Sequence, residues 1–121
     1  MQIPLQVVFR DVPRSDALDA EIRRRAEKLN QFHDHITSCR VTVAHNGRHK
    51  HQGNRYNIGI DITLPGTELV IKDKHDNEDV YVALRDAFEA AQRKLHEYAR
   101  QQRGEVKVHR RPEPQAGPDE Q

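Results

Sequence analysis

Histidine has the broadest chemistry of any residue in this chain, because imidazole can bind a metal or move a proton near neutral pH. The chain has eight histidines, among them two i,i+2 pairs, His33 with His35 and His49 with His51, in segments of loop composition. Zinc takes three or four ordered ligands, yet the sequence has neither an HExxH nor a CxxC motif. Neither pair has a recognisable nucleophile or orienting carboxylate for the acid–base chemistry of a nuclease. We therefore predict solvated loop histidines, no metal, no cofactor and no enzymatic activity.

The single cysteine and the absence of phosphate-binding motifs exclude further kinds of site. One cysteine, Cys39, excludes an intramolecular disulfide and a four-thiolate zinc site. Cys39 stands at the start of a predicted strand beside Arg40, without an identifiable partner base, so we expect a buried thiol and not a nucleophile. The phosphate-cradling sequences GxGxxG and GxxxxGK followed by Ser or Thr are absent. The sequence therefore predicts no small-molecule substrate.

Basic side chains are better placed for a function, because they collect on two predicted helices. In the first helix, one side of the apolar stripe carries Arg24, Arg25 and Lys28. In the second helix, the basic residues opposite the core or beside its apolar stripe are Arg85, Arg93, Lys94, His96, Arg100 and Arg103. Cations on two adjacent helices can form one positive strip, which is typical of nucleic-acid binding. The alternative is i,i+4 pairing that neutralises part of this strip. The available partners are Glu21, Glu27, Glu89 and Glu97.

Length and composition favour one soluble domain. The chain has 121 residues, 35% of them hydrophobic and 32% charged, and no apolar run approaches the roughly 20 residues that span a bilayer. The first residues lack a signal-peptide pattern, so we expect a cytoplasmic protein without membrane attachment. The net charge of +1 hides two basic segments, residues 1–50 with 9 basic and 6 acidic side chains and residues 81–111 with 8 and 4. Such local charge suits a polyanionic partner.

The first half of the chain predicts a strand, a helix and a second strand. Alternating apolar residues over 5–9 indicate the first strand. Ser15 or Asp16 can cap a helix whose apolar positions recur at three- and four-residue spacing. These positions are Leu18, Ile22, Ala26 and Leu29, extended by Phe32. A strand is expected at Ser38–His45, and the polar residues 46–54 then indicate a hairpin loop.

The clearest strand pattern comes next. Residues 56–64 alternate strictly between apolar and polar side chains, so one face of the sheet is covered and the other is open. Pro65 and Gly66 predict a tight turn, because proline presets its backbone angle and glycine accepts a positive φ. A short fourth strand is expected at Glu68–Lys72.

A long second helix is predicted over Glu78–Gln102. Asp76 or Asn77 can cap its start, and Gly104 is the expected stop. Its apolar stripe consists of Val80, Leu84, Ala87, Phe88, Ala91, Leu95 and Tyr98.

These elements predict an α+β fold in the order β-α-β-β-β-α. Each helix has one apolar stripe and the sheet has one apolar face, so both helices should pack on one face of a four-stranded sheet. This order resembles a double-stranded RNA-binding domain preceded by one extra strand. We expect the domain to cover residues 1–104 and a disordered tail to cover residues 105–121, which end in the proline-rich run PEPQAGPDEQ.

Both helices also resemble those of a known family. The segment 75–95, with His75, Glu78, the run DVYVAL and then RKL, is similar to the second helix of the ribosome hibernation promoting factor family, which includes protein Y and was once labelled sigma-54 modulation protein. Residues 22–32 match its apolar–Arg–Lys–Leu–aromatic pattern, and the Pro-Gly turn matches as well. The resemblance covers residues 5–103.

The resemblance implies a non-catalytic protein that binds 16S rRNA of the small ribosomal subunit. It would lie in the channel of mRNA and tRNA and silence the ribosome under stress or in stationary phase, with basic helix faces touching rRNA phosphates. The contacts carried over by matching position are Arg25, Lys28 and Arg93. The contacts that rest only on their placement in this sequence are Arg24, Arg85, Lys94 and Arg100.

Two departures from the family pattern stand out. Ala90 and Glu97 occupy positions where members often have lysines, which weakens the patch on the second helix. The C-terminal dimerisation domain of the long members is absent from this sequence. We therefore expect a monomer off the ribosome that does not pair ribosomes by itself.

Two other functions fit the sequence. A generic structured-RNA-binding module is one, although double-stranded RNA-binding domains usually begin their last helix with lysines and this chain has Glu78 and Asp79 there. A protein-interaction domain that uses the open sheet face is the other, since Asn57, Asp61 and Thr63 should face solvent.

Overall fold

The computed structural model describes residues 4–45, 55–72 and 77–109, except for the side chains of 103–109. The elements are β1 (Leu5–Arg10), α1 (Asp16–Phe32), β2 (Ser38–His45), β3 (Tyr56–Leu64), β4 (Thr67–Lys72) and α2 (Val80–His109). The predicted α+β fold and its element order are therefore confirmed. Within the described ranges, no helix combines the length and apolarity that crossing a membrane requires.

One mixed sheet contains the four strands in the order β1-β2-β3-β4. β1 runs parallel to β2, whereas the other neighbouring pairs are antiparallel. A parallel pair needs a long crossover, and α1 provides it. The β3–β4 turn uses Gly66 at a φ of 78°, a backbone angle that a side chain would strain.

The inner face of the sheet forms the centre of the core. Val41 pairs with Ile60 and Val43 with Ile58 across β2 and β3, and all four side chains are at most 1% exposed. The helices cover this face with the buried residues Leu18, Ile22, Ala26, Leu29, Ala83, Leu84, Ala87, Phe88, Ala91 and Leu95. Full burial of one large aliphatic side chain stabilises a fold by about 1.5–3 kcal/mol, so this layer holds the helices side by side.

α1 begins as predicted. The Oγ of Ser15 accepts a hydrogen bond from the Leu18 amide at 3.2 Å and so caps the helix. Phe32, which was expected to extend the apolar stripe, is instead 64% exposed. It is the last residue of α1, and with Arg25 and Lys28 it lines a groove toward α2 and not the sheet. The buried stripe of α1 therefore ends at Leu29.

The start of α2 differs from the prediction. Its capping residue is Asp79, because the Asp79 Oδ1 accepts a hydrogen bond from the Tyr81 amide at 2.9 Å. The Asn77 Oδ1 accepts the Asp79 amide at 2.8 Å, so Asn77 supports the cap and does not form it. The helix begins at Val80 and not at Glu78, since the first carboxylate able to reach a free helical amide is that of Asp79.

The end of α2 also differs. The helix continues through Gly104 to His109, so the predicted stop at Gly104 is wrong. Glycine in a helix interior costs about 1 kcal/mol relative to alanine, which does not by itself end a helix. The first proline beyond it is Pro112. Residues 105–109 continue α2, residues 110–121 lie outside the described residues, and the domain boundary at 104 stays a prediction.

Candidate nucleic-acid interface

A groove runs between α1 and α2 on the side of the helix layer away from the sheet. Its volume is about 400 Å³. Its lining residues are Arg25, Lys28, Leu29, Phe32, Phe88, Glu89, Gln92 and Arg93. The three cations predicted by matching position, Arg25, Lys28 and Arg93, therefore lie in one groove although they come from two helices.

Helical spacing explains the α1 wall of this groove. Arg25, Lys28 and Phe32 are separated by three and four residues, so they project from the same side of α1. The Arg25 side chain is only 26% exposed, and its Nε donates to the Glu21 Oε2 at 2.8 Å. Long basic side chains commonly bury their stems while the charged end stays wet. Arg25 therefore contributes both packing and charge to the groove.

Glu21 is the acidic centre beside this wall. Its carboxylate accepts hydrogen bonds from Arg24 at 2.7 and 3.0 Å as well as from Arg25. The hydrogen bond from Arg24 is the largest cause that lowers the pKa of Glu21, and the same contact raises the pKa of Arg24. The expected neutralising pair at Glu21 is therefore present. The other three expected partners, Glu27, Glu89 and Glu97, form no ion pair within the part of the chain that the structure describes.

Lys28 and Arg93 are the two cations of the groove that are available to a ligand. Both are exposed, and neither makes an ion pair or a side-chain hydrogen bond among residues 4–45, 55–72 and 77–102. Glu89 is the acidic residue in the groove lining, so the lining carries more positive than negative charge. The groove is thus an electropositive channel with two uncommitted cations on opposite walls.

The other predicted basic contacts lie outside the groove lining. Arg85 pairs with the neighbouring Asp86 at 3.1 Å. The Lys94 Nζ donates to the backbone carbonyl of Val70 at 3.4 Å, which places Lys94 over the edge strand β4. Arg100 is exposed, and Arg24 is bound to Glu21. The single positive strip expected from the sequence is therefore divided into a groove and separate surface cations.

The surroundings of the described histidines and of the cysteine do not favour metal binding or nucleophilic chemistry. Burial lowers the pKa of His33, and the nearby His96 lowers it further. His35 is exposed, 3.6 Å from Asp34. Burial, with a smaller contribution from Asp61, raises the pKa of the Cys39 thiol to about 12, so the thiol stays protonated at neutral pH. Among the described residues, no group of three or more His, Cys, Asp and Glu side chains could hold a metal ion, and His49 and His51 lie outside those residues.

The open sheet face is a second concave surface. Arg40 and Asp61 pair across β2 and β3 at 2.7 Å in its middle, and this contact raises the pKa of Arg40. Asn57 also lines this surface, and Thr63 is exposed beside it. The positive charge of Arg40 is thus already matched by Asp61. Arg10 and Lys72 line the same surface without an ion pair among the described residues, so this face also carries positive charge.

Sequence reasoning missed the role of Phe32 and the composition of the groove floor. Spacing alone extends the apolar stripe of α1 to Phe32, but spacing does not show where the supporting sheet ends. Phe88 was predicted as a core residue, which it is, yet its side chain also forms part of the groove lining. The available signal was the position of Phe32 at the last turn of α1, directly before a predicted break.

A comparison with protein-family models matches residues 5–103 to the family described as sigma 54 modulation protein / S30EA ribosomal protein. The chain belongs to this family. The match covers both walls of the groove and confirms the resemblance drawn from the two helices. A search of curated protein sequences finds no significant match.

Two solved structures share the fold of this family member. A ribosomal subunit interface protein from Coxiella burnetii superimposes with a TM-score of 0.69 at 15% identity, covering 80% of this chain and 98% of its own. The N-terminal domain of Thermus thermophilus protein Y superimposes with a TM-score of 0.64 at 17% identity, covering 81% of this chain and 99% of its own. At these identities the likeness establishes the fold.

Proposed function

We propose that this protein binds the small ribosomal subunit through 16S rRNA in the mRNA and tRNA channel and inhibits translation by occupying it. It would act without catalysis, in the cytoplasm, under stress or in stationary phase. Membership of a family described in part as a ribosomal protein supports a ribosomal partner. The names of the two structural neighbours, a ribosomal subunit interface protein and protein Y, agree with that partner.

The convergence of Arg25, Lys28 and Arg93 in one groove carries the proposal. Phosphate contacts dominate the affinity of nucleic-acid complexes, and they need cations that are free to replace counterions. Lys28 and Arg93 meet this requirement among the described residues. Arg24, Arg25 and Arg85 each already face a carboxylate, although Arg25 still lines the groove. The groove should therefore be the main rRNA contact, and the outer cations should contribute less.

Sucrose-gradient sedimentation of tagged protein from stationary-phase cells tests the proposal. We expect the wild-type protein in small-subunit or monosome fractions. Replacing Arg25, Lys28 and Arg93 by alanine should shift it to the free fraction. A matched variant with Arg24, Arg85 and Lys94 replaced by alanine loses the same charge outside the groove and should stay with the ribosome.

Three results would contradict the proposal. If the wild-type protein is found only in the free fractions, it does not bind the ribosome. Equal affinity for the small subunit and for any RNA duplex of similar length would favour the generic RNA-binding module instead. Loss of sedimentation only when Asn57, Asp61 and Thr63 are replaced would make the sheet face the docking surface.

A further inference from the structure

The exposed aromatic ring of Phe32 has no structural task in the described part of the chain. It is 64% exposed and is one of three large hydrophobic residues that are exposed there, with Val70 and Tyr81. Of these three, Phe32 is the one that lines the groove between the helices. An exposed aromatic ring in a groove lined by cations is the combination that single-stranded nucleic-acid sites use, so the placement of Phe32 points to a ligand.

The groove combines three features that suit one kind of ligand. The Phe32 ring offers a flat apolar face, Lys28 and Arg93 offer free positive charge, and Gln92 offers an amide that can donate and accept hydrogen bonds. An unpaired nucleotide has the complementary parts, namely a flat base, flanking phosphates and a polar base edge. A base pair within a duplex keeps its faces stacked inside the helix and cannot present them to a side chain.

We propose that Phe32 is a stacking platform for one unpaired base of RNA, held in the groove by Lys28 and Arg93 on the flanking phosphates. The identity of that RNA as 16S rRNA rests on the proposed function, but the stacking itself does not. The ligand class is therefore single-stranded RNA or the unpaired part of a folded RNA.

The charge of the groove argues for RNA over a protein segment as the occupant. A partner helix would bury mainly apolar side chains, yet the groove lining includes three cations and Glu89 around its apolar residues. An acidic peptide could pair with the cations, but its carboxylate side chains have no flat ring to stack on Phe32. An acidic peptide is therefore the control ligand in the experiment.

Tryptophan fluorescence gives a direct readout, because the sequence contains no tryptophan. The variant Phe32→Trp places the single indole in the groove, and Tyr81→Trp places it at a site that is 45% exposed and outside the groove lining. Titration with a ten-nucleotide oligouridylate should quench Phe32→Trp fluorescence saturably. The same RNA should leave Tyr81→Trp nearly unchanged, and a blunt RNA duplex or polyglutamate should not quench Phe32→Trp.

Affinity measurements separate stacking from mere apolar contact. Phe32→Leu and Phe32→Ala should each weaken oligouridylate binding about tenfold, because neither side chain can stack on a base. Phe32→Tyr keeps an aromatic ring and should bind like the wild type. Tyr81→Ala is the matched control and should bind normally. Thermal melts should be unchanged in every variant, since the Phe32 ring is outside the core.

The outcomes distinguish the two proposals. If Phe32→Ala still binds oligouridylate and small subunits like wild type, the stacking role is wrong although the ribosomal proposal stands. If oligouridylate quenches Phe32→Trp while no wild-type protein sediments with ribosomes, stacking stands and the ribosomal proposal fails. Equal quenching by polyglutamate would overturn the RNA assignment.

Discussion

Glu21 shows how one carboxylate sets the charge available to a binding surface. It holds Arg24 and Arg25 by hydrogen bonds of 2.7–3.0 Å, so two neighbouring cations share one counter-charge. Lys28, one turn further along α1, has no such partner among the described residues. Sequence spacing revealed that pairing at Glu21 was possible, but not that one acid would serve two arginines.

The pH dependence of stability should report the Glu21 contacts. The pKa of Glu21 is lowered below 4.5, chiefly by the hydrogen bond from Arg24, so the folded state binds its proton less readily than the unfolded state does. The contacts therefore stabilise the fold above pH 4.5, and this contribution is lost as the pH falls through the lowered pKa. Urea titrations at pH 3 to 7 measure the free energy of unfolding. Between pH 7 and pH 3 this free energy should fall less for Glu21→Gln than for the wild type. Identical profiles for variant and wild type would contradict this assignment.

Cys39 should behave as an inert core residue. Its thiol pKa is raised from 9.0 to about 12, mainly by burial, so the unfolded chain ionises this thiol well before the folded chain does. The folded thiol thus contributes stability that is present below pH 9 and is lost as the pH rises toward 12. Cys39→Ala should flatten the alkaline-side slope of the free energy of unfolding. Thiol-reagent kinetics at pH 8 check the burial, since rapid labelling without denaturant would contradict it.

At the scale of the elements, the sequence predicts what short-range chemistry determines. The strict alternation over residues 56–64 identifies β3 and its covered face, and Ser15 caps α1 as expected. The exposure of Phe32 and the groove beside it could not be predicted from local patterns, because the separation of α1 and α2 depends on how both helices pack across the sheet. Likewise, residue type predicted Asp76 or Asn77 as the cap of α2. Asp76 lies outside the described residues, and the observed hydrogen bonds make Asp79 the cap instead of Asn77.

The continuation of α2 through Gly104 predicts the direction in which Gly104→Ala changes stability. If Gly104 adopted the left-handed conformation of a helix stop, Gly104→Ala would be strained and destabilising. Within a helix, the same change should be favourable by about 1 kcal/mol locally. We expect Gly104→Ala to increase the helical circular-dichroism signal at 222 nm without lowering the melting temperature. A lower melting temperature would restore Gly104 as the end of the helix.

At the scale of the whole molecule, binding should be governed by salt. About five phosphate contacts at a slope near −0.7 each should cost roughly two decades of affinity between 50 and 200 mM salt. Replacing Arg25, Lys28 and Arg93 together should flatten the slope of log affinity against log salt by about two units. Filter binding to small subunits across this range provides the measurement.

The open sheet face supplies the control for that experiment. Replacing Asn57, Asp61 and Thr63 should change the salt slope little, because these residues contribute no free cation. Loss of Asp61 breaks its pair with Arg40 and leaves one free cation on that face. The salt slope of the sheet variant should therefore become slightly steeper, whereas the groove variant should flatten it. A salt slope that responds to the sheet variant and not to the groove variant would reject the groove.

The contact between Lys94 and β4 bears on the solubility of the folded chain. β4 is an edge strand, and edge strands can recruit strands of other molecules through their backbone groups. The Lys94 Nζ occupies the Val70 carbonyl and brings a charge to that edge. A second copy adding a strand there would have to displace the ammonium group and bury it. Lys94→Met should therefore promote concentration-dependent self-association in analytical ultracentrifugation, while wild-type protein sediments as a monomer. Lysine at this position would thus keep the molecule dispersed in solution, whatever it contributes to RNA.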